Sequence, residues 1–197
     1  MFMKRLIDII ISSMALVVFT PFFTVIALFI IIDSPGGVFF RQVRVGLNRK
    51  HFRMYKFRTM ISDASLNGLK ITAGNDSRIT KVGMLLRKYK IDELPQLVNV
   101  FLGDMSFVGP RPEVPEYARV IPDQEFIYSV KPGMTDPASI AFRDESEMLD
   151  SSSNPHLKYV TEILPQKVRL NMEYIKGANI WTDALIMFRT IKCIFWG

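Results

Sequence analysis

The residues from Arg87 to Pro112 combine types that can do phosphate chemistry. Asp92 and Glu93 are adjacent, with Arg87, Lys88 and Lys90 just before them. An apolar run to Leu102, Gly103-Asp104, and then Arg111 between Pro110 and Pro112 follow. A carboxylate can attack phosphorus, but a phosphodiester is itself an anion, so cations or a metal must screen the approach. The nearby Arg and Lys side chains would also favour the ionised nucleophile. Successive helical residues point about 100° apart, which lets one carboxylate act on substrate while the other holds Mg²⁺, an ion that takes one or two carboxylates, waters and substrate phosphates. Arg111, with a proline on each side, has a restricted backbone that would pre-orient its fork on phosphate. A structural account is equally complete. Asp92 would be the N-cap of a helix, Glu93 a first-turn acid, Pro95 a first-turn proline and Gly103 the stop. Spacing alone leaves both readings open.

Composition narrows the setting. The 197 residues carry a net charge of +6 and are 49% hydrophobic, which suits one domain plus an appendage and an anionic partner. Cys193 is the only cysteine and His51 and His156 the only histidines. Intrachain disulfides and thiolate clusters are therefore excluded, and any metal is expected on oxygen ligands. No P-loop, GxGxxG, HExxH or GxSxG pattern occurs, so nucleotide-kinase, dehydrogenase, zincin and hydrolase readings have no motif to stand on.

The elements that must hold these residues begin with an apolar run from Leu6 to Ile32, long enough to cross a bilayer. It lacks the short core and cleavage site of a signal peptide. Thr20-Pro21 interrupts it, and cations flank both ends: Lys4 and Arg5 before; Arg41, Arg44, Arg49, Lys50 and Arg53 after. Positive charge belongs on the cytoplasmic side, so a helix that bends at Pro21 and returns to its own face satisfies both flanks. Val38–Val45 and His51–Arg58, joined at Gly46-Leu47-Asn48, form a β-hairpin, with Phe52, Met54 or Tyr55, and Phe57 partly buried and a basic opposite face. Ile61–Thr80 is polar and Gly-containing, a loop that could cover a site. Asp76 or Ser77 would cap a helix from Arg78 to about Tyr89, with Val82, Leu85, Leu86 and Tyr89 as its apolar stripe. Beyond Pro112, short helices are predicted near Tyr117–Val120 and Gln124–Val130, and a rigid turn over Lys131–Pro137. A loop spans Ser151–Pro155. A helix from about His156 to Ile175, bent or divided at Pro165, ends at Gly177. Ile180–Trp196 places Trp181, Leu185, Phe188, Ile191 and Phe195 on helical spacing. That segment fits the membrane interface or a packed terminal helix equally well.

Several segments occur in an order that carries more weight than any of them alone: Lys4–Asp8, Gly36–Gln42, Lys56–Met60, Asp76–Thr80, Asp92–Gln96, Gly103–Pro112 and Lys131–Thr135. Together they resemble the bacterial sugar transferase family, the monotopic phosphoglycosyl transferases, over nearly the whole chain and at the length of a minimal catalytic unit. The resemblance implies transfer of a sugar 1-phosphate from a UDP-sugar to polyprenyl (undecaprenyl) phosphate, with release of UMP. It implies Asp92 as the nucleophile that forms a covalent phosphosugar intermediate, Glu93 as the residue associated with Mg²⁺, and Arg111, with Pro110 and Pro112, at the phosphate site. Lys56, Arg58, Arg78 and Arg87 match further basic motif positions and are assigned to phosphate or membrane contacts; Arg143 is added as a sugar or phosphate contact. Thr20-Pro21 matches the hinge of the family's re-entrant helix. After Thr135 the chain departs from the common family pattern, reading Asp136-Pro137-Ala138-Ser139, so the sugar does not transfer with the resemblance.

The expectation is thus an α+β, mainly helical protein. Residues 1–34 form a re-entrant membrane helix and residues 35–197 a catalytic domain, with amphipathic interfacial helices, on the cytoplasmic face of a bacterial inner membrane. Its partners would be a UDP-sugar, polyprenyl phosphate and the bilayer, and not nucleic acid; no segment argues for an oligomeric state. The competing class is a membrane-tethered basic adaptor for nucleic acid or anionic lipid, which explains the charge but gives Asp92-Glu93 and Pro-Arg-Pro no task.

Overall fold

The computed structural model describes residues 2–61, 76–121, 124–150, 152 and 154–196. Most of the loop expected over Ile61–Thr80, and part of that over Ser151–Pro155, lies outside them. Helix α1 (Phe2–Asp33) is followed by strands β1 (Phe39–Val45) and β2 (His51–Phe57), then by α2 (Lys81–Lys88), α3 (Gln96–Leu102) and β3 (Ser106–Val108). Next come the short helices α4 (Pro115–Ala118) and α5 (Gln124–Ile127), strand β4 (Gly133–Thr135), α6 (Pro137–Ala141) and α7 (Glu145–Asp150). The chain closes with α8 (Pro155–Lys158), α9 (Leu164–Gly177) and α10 (Ile180–Trp196). The mainly helical character with little sheet agrees with the sequence.

Helix α1 is long and apolar enough to cross a membrane, and Pro21 lies inside it. Its apolar middle faces outward, with Met14, Val17, Val18, Phe22 and Val25 exposed, while both of its ends are tied to the body. At the start, Lys4 Nζ donates to Val108 O (2.8 Å) and to Asp183 Oδ2 (2.7 Å), and Arg5 donates to the carbonyls of Val100 and Phe101. The buried Asp8 accepts from Ser106 Oγ and Phe107 N, each at 3.2 Å. At the far end, Ile26 and Ile30 pack with Phe57 and Leu86, and Asp33 Oδ2 accepts from Val82 N at 2.9 Å. The polar first turns are therefore docking groups.

Strands β1 and β2 pair antiparallel, Phe39 opposite Phe57 and Val45 opposite His51. Their link turns through Asn48 and Arg49, both left-handed (φ 51° and 61°). Both faces of β2 are used: Phe57 meets α1, and Met54 packs with Val100 and Met105. The fully buried Asn99 ties α3 to β2, accepting from Tyr55 N and donating to Arg53 O.

Four expectations need correction. Helix α2 starts at Lys81, capped by Thr80, whose hydroxyl accepts from Gly83 N; Asp76 is instead engaged by Arg78. Of its expected stripe, Leu86 is buried while Leu85 and Tyr89 are exposed. Asp92 is not the cap of α3: Pro95 holds that position, and Ile91–Glu93 form a separate 3-10 turn. The segment expected to be a rigid turn contains β4, which pairs in parallel with β3. Two glycines permit that approach, since a Cβ on Gly133 would lie 2.1 Å from Gly109 N. Before Pro165 the long C-terminal helix widens into a π turn over Tyr159–Ile163, the local adjustment a missing proline N–H calls for.

Candidate active site

Between α2 and α3 the chain reverses at Lys90, a non-glycine residue in the left-handed region (φ 56°). Such strain of about 1–3 kcal/mol persists where surrounding structure imposes it, often at functional sites. The 3-10 turn that follows advances about 120° per residue, so Asp92 and Glu93 face different neighbours.

Glu93 is clamped. Its Oε1 accepts from Lys56 Nζ at 2.7 Å and from Arg111 Nη2, and its Oε2 accepts from Arg111 Nη1 at 3.2 Å. Burial alone would raise its pKa, but Arg111 and Lys56 outweigh that and hold the carboxyl well below the usual range. Asp92 is the opposite case. It is only 7% exposed, and its carboxylate makes no hydrogen bond or ion pair among the described residues. Burial raises its pKa, and the nearby charge of Lys56 only partly offsets this. Two neighbouring carboxyls whose environments push their pKa values apart are suited to different tasks.

The surrounding cations are placed by different elements. Lys56 comes from β2, where burial lowers its pKa against the pull of Glu93. Arg87, on the last turn of α2, donates from Nε to Thr59 Oγ1 at 2.9 Å and lies within electrostatic reach of Asp92. Arg111 is positioned by its proline neighbours: Gly133 N donates to Pro110 O at 3.0 Å, and Arg44 Nη1 donates to Pro112 O at 3.0 Å. Glu113 continues the support, its carbonyl accepting from Val45 N and its side chain accepting from Tyr159 Oη at 2.8 Å. Thus β1, β2, α2 and the β3–α4 connection converge on one patch.

Not every expected residue joins it. Arg58 donates to the carbonyls of Ile30, Ser34 and Pro35, where it caps the end of α1. Arg78 pairs with Asp76 at 2.5 Å. Arg143 contacts Asp144 and Cys193 Sγ at the surface and shares none of the contacts of the Asp92 group. Thr20 and Pro21 belong to the middle of α1, where Thr20 Oγ1 donates to Leu16 O. Sequence reasoning missed Arg44 as a support for Arg111, because only the fold brings it to a carbonyl 68 residues away. It also missed Asn99 as the tie between α3 and β2.

The sequence matches the family described as bacterial sugar transferase over residues 1–197. It is 38% identical, over 100% of its length and 44% of the relative's, to a UDP-N-acetylgalactosamine-undecaprenyl-phosphate N-acetylgalactosaminephosphotransferase of Aeromonas hydrophila. It is 35% identical to a UDP-glucose:undecaprenyl-phosphate glucose-1-phosphate transferase of Escherichia coli (strain K12), covering 96% of this chain and 39% of that one. A protein of the same name from Caulobacter vibrioides is 34% identical, with 97% and 69% covered. The chain spans less than half the length of the first two relatives.

Proposed function

The chain belongs to the bacterial sugar transferase family, and from that premise we propose that it is a phosphoglycosyl transferase moving a sugar 1-phosphate from a UDP-sugar to undecaprenyl phosphate. The observation that carries this reading is the pair of unlike carboxylates: Asp92 buried with no hydrogen bond or ion pair among the described residues, Glu93 held between Lys56 and Arg111. A carboxylate with no partner keeps its lone pairs for an incoming electrophile. The names of the relatives, which act on UDP-sugars and undecaprenyl phosphate, support the substrate class.

In the proposed reaction an Asp92 oxygen attacks the β-phosphorus of the UDP-sugar. The bond from that phosphorus to the bridging oxygen breaks, and UMP leaves with the electron pair. An oxygen of undecaprenyl phosphate then attacks the same phosphorus and releases the Asp92 carboxylate, giving a ping-pong cycle. Lys56, Arg87 and Arg111 neutralise charge as it moves onto the leaving phosphate. Glu93 is a carboxylate of the kind Mg²⁺ takes together with water and phosphate oxygens. Among the described residues no group of three or more acidic, histidine or cysteine side chains suggests a closed metal cage. Glu93 Oε2, with its single 3.2 Å contact, is the oxygen we assign to the ion, which when bound would add its charge to the screening of the diphosphate.

The membrane reading rests on α1. At about 1.5 Å per residue a straight helix of this length extends about 48 Å. A span would carry its ends to opposite faces of a bilayer about 30 Å thick in its core. Here Lys4, Arg5 and Asp8 at one end and Ile30 and Asp33 at the other dock on the same body. That favours a helix entering and leaving by one face, hinged at Thr20-Pro21, on the cytoplasmic side of the inner membrane. Trp181 (84% exposed), Leu185, Phe188 and Ile191 on α10, with Met84 and Leu85 on α2, supply apolar side chains for the interface.

The test is UMP release from a panel of UDP-sugars with undecaprenyl phosphate. Asp92→Asn should abolish release and membrane binding should persist. Denatured protein trapped before the acceptor is added should carry a sugar phosphate on Asp92. Full activity of Asp92→Asn would overturn the assignment.

A further inference from the structure

Two cations far apart in sequence, Arg5 and Lys131, meet at the C-terminal end of α3. Arg5 donates from Nη1 to Val100 O at 2.6 Å and from Nη2 to Phe101 O at 2.8 Å, where positive charge suits the negative end of the helix dipole. Lys131 arrives from the segment before β4. Both heads converge on Gly103, which is left-handed (φ 95°): a Cβ there would lie 3.0 Å from Arg5 Nη2 and 3.3 Å from Lys131 Nζ. Like charges so placed repel each other, and an anion between them would relieve the repulsion. Lys131 Nζ has no hydrogen bond or ion pair among the described residues, and it is open to solvent. Burial and Arg5 lower its pKa, while Asp8 and Asp104, the acids that face it, pull it back up. Neither acid pairs with it. Asp8 accepts from Ser106 Oγ and Phe107 N, and Asp104 Oδ2 accepts from Asn99 Nδ2 at 3.3 Å.

The rim of this cation pair is apolar. Leu6 follows Arg5 on α1, Phe101 and Leu102 precede Gly103, and all three side chains are exposed. Cations bordered by exposed apolar side chains match an amphiphile with a phosphate at one end and acyl chains at the other. The place fits as well: α1 begins here, so on the membrane reading of α1 this is the level of the lipid headgroups. Two cations favour a phospholipid of net negative charge over a zwitterionic one, whose own ammonium they repel. We propose that Arg5 and Lys131 bind the phosphate of one anionic phospholipid, whose chains lie along Leu6, Phe101 and Leu102. The site shares no residue with the Asp92 group. The inference rests on the membrane reading of α1 and not on the transferase reading.

The full chain would be placed in nanodiscs of mixed phosphatidylcholine and phosphatidylglycerol, and the lipids it keeps on release would be weighed by native mass spectrometry. One phosphatidylglycerol should be retained in preference to phosphatidylcholine. Lys131→Gln should lower that retention about 5-fold or more, the scale of one charge-assisted hydrogen bond, and Lys131→Arg should preserve it. Arg5 also docks α1, so Lys131 carries the test. Equal retention by the parent and Lys131→Gln would overturn the proposal. A parent with no preference for phosphatidylglycerol would overturn it too, whatever the variants do. Nanodiscs that also hold undecaprenyl phosphate separate the other source of a lipid phosphate. If that lipid is kept in place of phosphatidylglycerol, and Lys131→Gln raises its KM, the site serves the acceptor and the phospholipid assignment falls. Because the readout is a mass, absence of UMP release would remove the transferase reading and leave this inference standing.

Discussion

At the scale of single residues, the unlike states of Asp92 and Glu93 make opposite predictions for stability. Asp92 has its folded pKa raised by burial, so folding is penalised once pH exceeds its unfolded value, near 3.9. Asp92→Asn removes that penalty and should raise Tm at pH 7 while abolishing UMP release, a stability gain at the expense of activity. Glu93 has its folded pKa depressed, so its contribution is present at neutral pH and lost as pH falls through the folded value. Glu93→Gln strands Lys56 and Arg111 and should cost about 2–3 kcal/mol, below the ~3–5 kcal/mol of a fully buried pair because these side chains remain 17–29% exposed. It should also weaken the response of activity to Mg²⁺. Thermal melts of the two variants that move in the same direction would contradict the division of roles. The same electrostatics predict the pH profile. The acid limb of kcat/KM should report Asp92 and be shifted upward from an ordinary aspartate by its burial. Lys56 lowers the Asp92 pKa, so Lys56→Met should move that limb to higher pH; an unmoved or lowered limb would exclude Asp92 as the titrating group. Glu93 and Arg111 could be grouped from the sequence because acids and cations near one motif imply a shared anion, whereas Lys56 entered only through the family resemblance. Arg44 could not, since its part depends on a carbonyl that only the folded chain brings to it.

At the scale of elements, the site depends on two close backbone approaches, both made at glycines. The Gly109–Gly133 crossing lets β3 and β4 pair, and the same contact fixes Pro110 through the Gly133 N–H. Gly133→Ala has no room to relax, because its neighbours are backbone atoms. It should cost about 2–3 kcal/mol, roughly 5–10 °C in Tm, and lower kcat through displacement of Arg111. A melt and a rate indistinguishable from the parent would show that the crossing does not position Arg111. Gly83 is the second case, where a Cβ would meet Thr59 O at 2.1 Å, next to the hydroxyl that holds Arg87. These contacts explain which elements were legible. The hairpin and α10 could be read because period-two and period-3.6 patterns are local properties. Strands β3 and β4 could not, since each spans only Ser106–Val108 or Gly133–Thr135 and exists through a partner distant in sequence. Asp92 likewise reads as a cap from sequence because its spacing from Pro95 and Gly103 suits one. What displaced it was the left-handed turn at Lys90, and no residue type announces that conformation in a lysine.

At the scale of the whole molecule, the question is where α1 goes when its two ends cannot part. The Lys4–Asp183 pair and the Asp8 contacts hold its start, and Ile30, Asp33 and the Arg58 cap hold its end. On the proposed re-entrant reading the exposed apolar middle leaves water while both ends stay at the surface, so the helix dips into one leaflet and returns. Pro21 is where that bend costs least, since it already lacks the N–H that would bond the Val17 carbonyl. Two cysteines in a Cys193→Ser background give a direct test. Phe2→Cys and Gly37→Cys both introduce thiols at open positions, Phe2 being 81% exposed and Gly37 having no atom within 4 Å of an added Cβ. In sealed inverted vesicles, which expose the cytoplasmic face, a membrane-impermeant maleimide should label both without detergent. In right-side-out vesicles it should label neither until the bilayer is breached. Labelling of one position in each preparation would mean that α1 spans, and that its two docked ends separate in the membrane. Replacing Pro21 with Leu should then distinguish hinge from accident: it restores the backbone donor, and on the re-entrant reading it should resist the bend and lower UMP release by pulling one anchored end, with its share of the site, out of register.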